Sequence, residues 1–219
     1  MTQAEMILRM RSILNEIGVT SGFFSNDNSL YKYIDSGQNE VIDRLINLQM
    51  KMQKVKEFYE LESLKILLSS KTFNLVSGTD TYTFSGMSLT DYKMHYDLQV
   101  DLNNGGTKYG ATYKGLGEIK WQERNYVTIP TVKNPAYTVD TSSQIIVSPA
   151  PSANATNGGV FRYYKVPSAV TSSQDLTLKS ETHEAILFFA CSLAFDQDRN
   201  LQAAQIYKNK FDQRISEIV

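Results

Sequence analysis

Apolar residues recur at helical spacing at both ends of the chain and alternate with polar residues between them. Thr2 and Glu5 form a T-x-x-E capping box, and Met6, Ile7, Met10, Ile13, Leu14 and Ile17 follow on one face until Gly18. A second helix is predicted after Ser25-Asn26-Asp27-Asn28, which supplies cap candidates. Along it Ile34, Gly37, Val41, Leu45, Leu48, Met52, Val55 and Tyr59 recur at intervals of three and four. No proline interrupts residues 28 to 70, so the region reads as one long helix or two, with a bend near Phe58 favoured. So long a stripe needs a covering surface: the first helix, the last helix or a neighbouring subunit. Val41, Leu45, Leu48, Met52 and Val55 are therefore candidate subunit-interface residues.

From Lys71 the period changes to two. Phe73 and Leu75, a turn at Ser77-Gly78-Thr79-Asp80, then Tyr82 and Phe84 predict a hairpin. Leu98, Val100 and Leu102, then Asn103-Asn104-Gly105-Gly106, then Tyr109, Ala111 and Tyr113 predict another. Further strands are predicted at 119–121, 126–129, 137–139, 145–147 and 160–166, and 148–159 reads as an exposed loop. A helix from about Glu181 is apolar almost all round, with Phe188, Phe189 and Leu193 assigned to burial. A polar break at 196–200 precedes a last amphipathic segment with Ala203, Ile206, Tyr207, Phe211, Ile215 and Ile218 on one side. The expected class is α+β: a helical module of 1–70 and 180–219, with a central antiparallel, sandwich-like insertion at 71–179.

Composition narrows the function more than the fold. The 219 residues carry 22 Lys+Arg against 23 Asp+Glu, with 42% apolar and 21% charged, the profile of a chain that folds. The best apolar run, 185–194, is too short to span a membrane, and the N-terminus lacks the order of a signal peptide. Neither a membrane partner nor export is expected.

Catalytic chemistry is thinly supplied. Two histidines, His95 and His183, and one cysteine, Cys191, leave few metal or nucleophile sets. His183-Glu184 lacks the second histidine of a zinc helix. Gly115-Leu116-Gly117 lacks the third glycine and the strand-to-helix setting of a dinucleotide loop. No Gly-Lys-Ser/Thr phosphate loop and no G-x-S-x-G elbow occurs, and Asp196 with Asp198 suits a helix break. No enzyme, metal or cofactor is expected. Balanced charge argues against specific nucleic-acid binding despite Lys108, Lys114, Lys120 and Arg124. Tyr109, Tyr113, Tyr126, Tyr163 and Tyr164, among thirteen tyrosines, suit strands and interfaces as well as a recognition face.

Several strings occur in an order that resembles the bacteriophage head-tail connector, or portal adaptor, family. Residues 4–15 and 29–41 resemble its first two helices. Phe73-Asn74-Leu75, Ser77-Gly78-Thr79-Asp80-Thr81-Tyr82-Thr83-Phe84, Pro135-Ala136-Tyr137, Ile145-Ile146-Val147-Ser148-Pro149-Ala150-Pro151 and Tyr163-Tyr164-Lys165-Val166-Pro167 follow in the family's order. Tyr207-Lys208-Asn209-Lys210-Phe211 is similar to part of its closing helix. Ser85-Gly86-Met87 departs from the Leu-Pro often found at that turn.

The resemblance implies a non-enzymatic virion component, present in the host cytoplasm during assembly and then at the head-tail junction. It implies a ring of about twelve copies that docks on the portal protein, carries the downstream tail or neck protein, and lets DNA pass through its lumen without sequence-specific binding. It directs portal docking to the C-terminal stripe: Tyr207, Phe211, Ile215, Ile218 and Val219. The same spacing also fits a helix returning to its own bundle. Two other readings use the same elements: a receptor- or carbohydrate-binding β-sandwich on a helical stalk, and a helical scaffold that binds host proteins.

Overall fold

The first two helices follow from local patterns that can be read residue by residue. In the computed structural model, which describes residues 1–15, 27–54, 61–124 and 129–218, α1 spans Gln3–Ile13. Its capping box is formed: the Thr2 hydroxyl accepts from the Glu5 amide at 3.2 Å, and the Thr2 amide donates to Glu5 at 2.8 Å. Met6, Ile7 and Met10 are buried. Helix α2 spans Asp27–Lys54, with Asp27 in its first turn, where the helix dipole favours a carboxylate. Arg11, itself buried, ion-pairs with Asp27 and ties α1 to the start of α2. The expected bend near Phe58 lies outside the described residues. A 3-10 turn at Glu62–Leu67 follows, and β1 starts at Leu68, so the helical pattern stops short of Ser70.

The chain divides into two compact units, one of residues 1–67 and 167–219, the other of 68–166. In the first, α4 (His183–Gln197) packs against α2 and against α5 (Leu201–Ile218). Gly37 makes the α2–α4 approach close: a Cβ there would lie 2.7 Å from the Ile186 carbonyl oxygen. Ile34, Val41, Leu45, Ala185, Ile186, Ala190 and Ala194 are fully buried around that crossing. Phe188, Phe189 and Leu193 are only half-buried, because α4 turns one side toward the amphipathic α5 rather than into an all-apolar surround. The segment 167–179 is fastened to α1 and α2 by side chains. The fully buried Gln38 donates to the Ser168 carbonyl at 3.1 Å and accepts from the Thr177 amide at 2.7 Å. Asp35 accepts from the Val170 amide at 2.9 Å, and Gln3 donates to the Ser172 carbonyl at 3.0 Å.

The second unit is a curled mixed sheet in the order β1-β7-β3-β4-β5-β6-β2. Its strands are β1 (Leu68–Leu75), β2 (Thr81–Thr83), β3 (Tyr92–Val100), β4 (Tyr109–Tyr113), β5 (Ala136–Asp140), β6 (Gln144–Ser148) and β7 (Ala155–Lys165). All pairings are antiparallel except β4 with β5, so the insertion is mixed rather than wholly antiparallel. The predicted β3–β4 hairpin forms, with Val100 opposite Tyr109. The predicted hairpin of residues 73–84 does not: β1 pairs with β7, and β2 with β6.

Two further expectations change in this unit. Residues 119–121 belong to helix α3 (Leu116–Glu123), where Ile119 and Gln122, three apart, are the buried positions and Lys114 pairs with Glu118 at 3.2 Å. A three-residue apolar-polar-apolar string suits either period. Only 129 of the strand predicted at 126–129 is described, and it lies in no strand. The expected loop at 148–159 ends early, since β7 begins at Ala155 and Ala155 is buried. Gly159 sits opposite Phe73, and the Phe73 ring lies over it where a Cβ would be at 2.4 Å, filling the missing side chain's place. Phe73, Tyr82, Phe84, Leu98, Val100, Tyr137, Ile145, Val147 and Phe161 belong to the core enclosed by the curl.

Candidate docking site

The amphipathic pattern of α5 decides which of its side chains meet their own unit and which meet solvent. Phe211 is fully buried, its ring centroid 5.0 Å from that of Phe189, with the Lys208 ammonium 4.7 Å and the Arg44 guanidinium carbon 5.9 Å from its own centroid. Ile215 is buried as well. Tyr207 is half-buried and stacks on Phe195 at 5.4 Å; burial raises its phenol pKa, and the neighbouring Cys191 acts in the same direction. Ile218 is half-buried, and Val219 lies outside the described residues. Phe211 and Ile215 are thus covered inside the subunit, with Tyr207 and Ile218 half-buried on the same helix.

On α2 the division is similar. Val41 and Leu45 are fully buried and Leu48 is half-buried, while the Met52 side chain and Val55 lie outside what is described. Among the described residues of the helical unit, the large apolar side chains left in solvent are others: Leu8 on α1, Ile66 in the 3-10 turn, Leu201 at 67% exposure and Ile206 at 47% on α5. Ile206 stood in the sequence stripe, but one residue from Tyr207 is about 100° around the helix, which carries it off the packed face. Leu8 and Leu201 had no such signal, because an isolated apolar residue beside a stripe has no period of its own.

At the C-terminal end of α5, Leu61, Glu62, Ser63, Glu181, Arg214, Glu217 and Ile218 line a concavity of about 340 Å³. Arg214 donates to Glu217 at 2.6 Å and lies 3.3 Å from Glu184, so Glu217 is held below the usual carboxylate range, chiefly by that hydrogen bond. Glu62 is lowered too, first by its hydrogen bond from Lys65 and then by Lys179. Glu181 accepts from the Ser63 hydroxyl. The rim is charged and paired within the unit.

The residues that sequence singled out for chemistry are placed apart. Cys191 is buried in α4, and burial pushes its thiol up to about 12. His183 starts α4 with its Nε2 2.9 Å from the Leu178 carbonyl. His95 stacks on Tyr113 at 4.0 Å inside the β unit, where burial pushes its pKa down to about 4. Among the described residues no group of three or more His, Cys, Asp or Glu side chains is placed to hold a metal ion. No described helix is long and apolar enough to cross a membrane.

Comparison with known proteins adds what geometry cannot. No curated protein matches the chain. A family model, described as SU10 adaptor protein, matches residues 1–219. Because that match runs over the whole chain, the helical unit and the β unit inserted in its sequence are parts of one family member: the chain belongs to the SU10 adaptor proteins, structural adaptors of bacteriophages.

Proposed function

We propose that the protein is a subunit of an adaptor ring beneath the portal, joining the phage head to the next tail or neck protein around the DNA channel. The observation that carries this reading is the family match over the full 219 residues. In it, residues 1–70 and 180–219 form the assembling module, and 71–179 an insertion that meets other virion proteins. The C-terminal segment docks on the portal through the half-buried Tyr207 and Ile218 together with the terminal Val219, while Phe211 and Ile215 anchor α5. The apolar stripe read in the sequence continues past Leu45, through Leu48, Met52 and Val55, as the subunit contact. Near-neutral charge suits a conduit, since each added phosphate contact would strengthen retention of DNA.

Mass measurement tests assembly directly. The purified protein is expected as a monomer or weak oligomer, and a mixture with portal particles as a complex of about twelve copies. A protein that fails to join portal particles refutes the reading. Binding of free glycans by the isolated protein would favour the receptor-binding alternative instead.

A further inference from the structure

The curled sheet has two free ends, and both line one cleft. Strands β1 and β2 terminate the order β1-β7-β3-β4-β5-β6-β2, each paired on one side only. A cleft of about 590 Å³ lies between them, lined by Lys71, Thr72 and Asn74 of β1 and by Thr81 and Thr83 of β2, with Phe73, Tyr82 and Met87 reaching inward. The Phe73 and Tyr82 rings touch at 5.0 Å, so the core below the cleft is closed while the backbones above it are not joined.

The Thr83 carbonyl of β2 accepts from the Met87 amide at 3.1 Å, and the direction of the rest of its backbone follows from its neighbours. The Asp80 carbonyl accepts from Val147 at 2.8 Å and the Phe84 amide donates to Ser143 at 2.9 Å, so both face the β6 side. Alternation places Tyr82 on that side too and turns the Thr81 and Thr83 amides into the cleft. On β1, from Leu68 to Phe73, before the register shift that precedes Leu75, every second residue likewise turns its amide and carbonyl away from β7. Such groups are satisfied by water or by another extended backbone, and the second is how sheet edges bind peptides.

Size and polarity fit one strand. With a strand spacing of ~4.8 Å, a sheet thickness of ~10 Å and a rise of ~3.3 Å, an extended residue fills ~160 Å³. The cleft thus holds roughly four residues, close to the three-residue length of β2. Five antiparallel steps and one parallel step separate β1 from β2, so the two edges run in opposite directions. A strand between them must be antiparallel to one and parallel to the other. The longer β1 and the better antiparallel geometry favour pairing antiparallel to β1. An eighth strand between β1 and β2 would close the curled sheet into a barrel of a size whose interior side chains can fill.

We propose that this cleft receives a short extended segment of another virion protein as an eighth strand, small and apolar toward Phe73, Tyr82 and Met87, and carrying a carboxylate toward Lys71. Among the described residues lining the cleft, Lys71 is the only ionisable side chain besides Tyr82, and no carboxylate answers it there. The proposal deepens the adaptor reading and rests on it.

The test compares amide exchange in the free protein and in purified phage particles, with carbodiimide cross-linking of the particles at Lys71. The expected result is that exchange in residues 68–75 and 81–83 slows by about tenfold or more in particles, with Lys71 joined to an Asp or Glu of a different virion protein. The Lys71→Glu variant is expected to stay folded and to lose that cross-link and most of the protection. Unchanged exchange in particles that contain the chain overturns this inference alone. So does protection already present in the free protein, whether from direct β1–β2 pairing or from a second copy, or a cross-link only to other copies of this chain. Particles that lack the chain overturn the adaptor reading as well.

Discussion

Replacing Phe211 by Ala separates anchoring from docking on α5. The ring is fully buried against Phe189 beneath two cations, so truncation removes a complete aromatic side chain and leaves a cavity between α4 and α5. Phe→Ala changes in cores cost about 3–5 kcal/mol, and the tilted pairing with Phe189 places this one in that range. Against a total of about 5–15 kcal/mol, a loss near 4 lowers the folding constant by about three orders of magnitude. In urea, with a slope of ~2 kcal/mol per molar, the midpoint should fall by about 2 M in a circular-dichroism titration. Ile206→Ala, on the exposed side of the same helix, should stay within about 0.5 kcal/mol of the parent protein. Removing residues 210–219 deletes both Phe211 and Ile215, so it should destabilise the helical unit before any docking is measured. A loss below ~1 kcal/mol for Phe211→Ala, or an equal loss for Ile206→Ala, would refute the assignment of the two faces.

Gly37→Ala should destabilise although Ala favours helices by about 1 kcal/mol. The new methyl meets the Ile186 backbone oxygen at 2.7 Å, and overpacking of about 1–3 kcal/mol outweighs the gain; a higher melting temperature would contradict the close crossing. His95 has a folded pKa of about 4 against an ordinary 6.5, so the unfolded chain binds more protons between those values. Stability from its neutral form is complete above pH 6.5 and lost as pH falls through 4, by at most about 3 kcal/mol. Denaturation curves for His95→Phe should lack that contribution, and an identical pH dependence would sink the argument. Cys191 should react with a thiol reagent only at the rate of unfolding, and fast labelling of the native protein would show the α4 packing to be wrong.

Periodicity and caps determined much of this protein without any tertiary information. The T-x-x-E box fixed the start of α1, the three-four spacing identified α2 and α5, and the switch to period two marked the central strands, because each is a relation between residues close in sequence. Partner choice was different. Residues 73–84 carry a hairpin signal, yet β1 pairs with β7 and β2 with β6, since strand alternation specifies a face and leaves the neighbour open. The string Ile119-Lys120-Trp121 fitted strand and helix alike until Lys114–Glu118 pairing and burial at Ile119 and Gln122 selected the helix. The fate of Phe211 and Ile215 was equally open, because a stripe of given spacing looks the same whether its own subunit or a partner covers it. Only the packing of α4 against α5 placed them inside, and only the curl of the sheet brought its two unpaired edges to one cleft, because both depend on contacts between residues far apart along the chain.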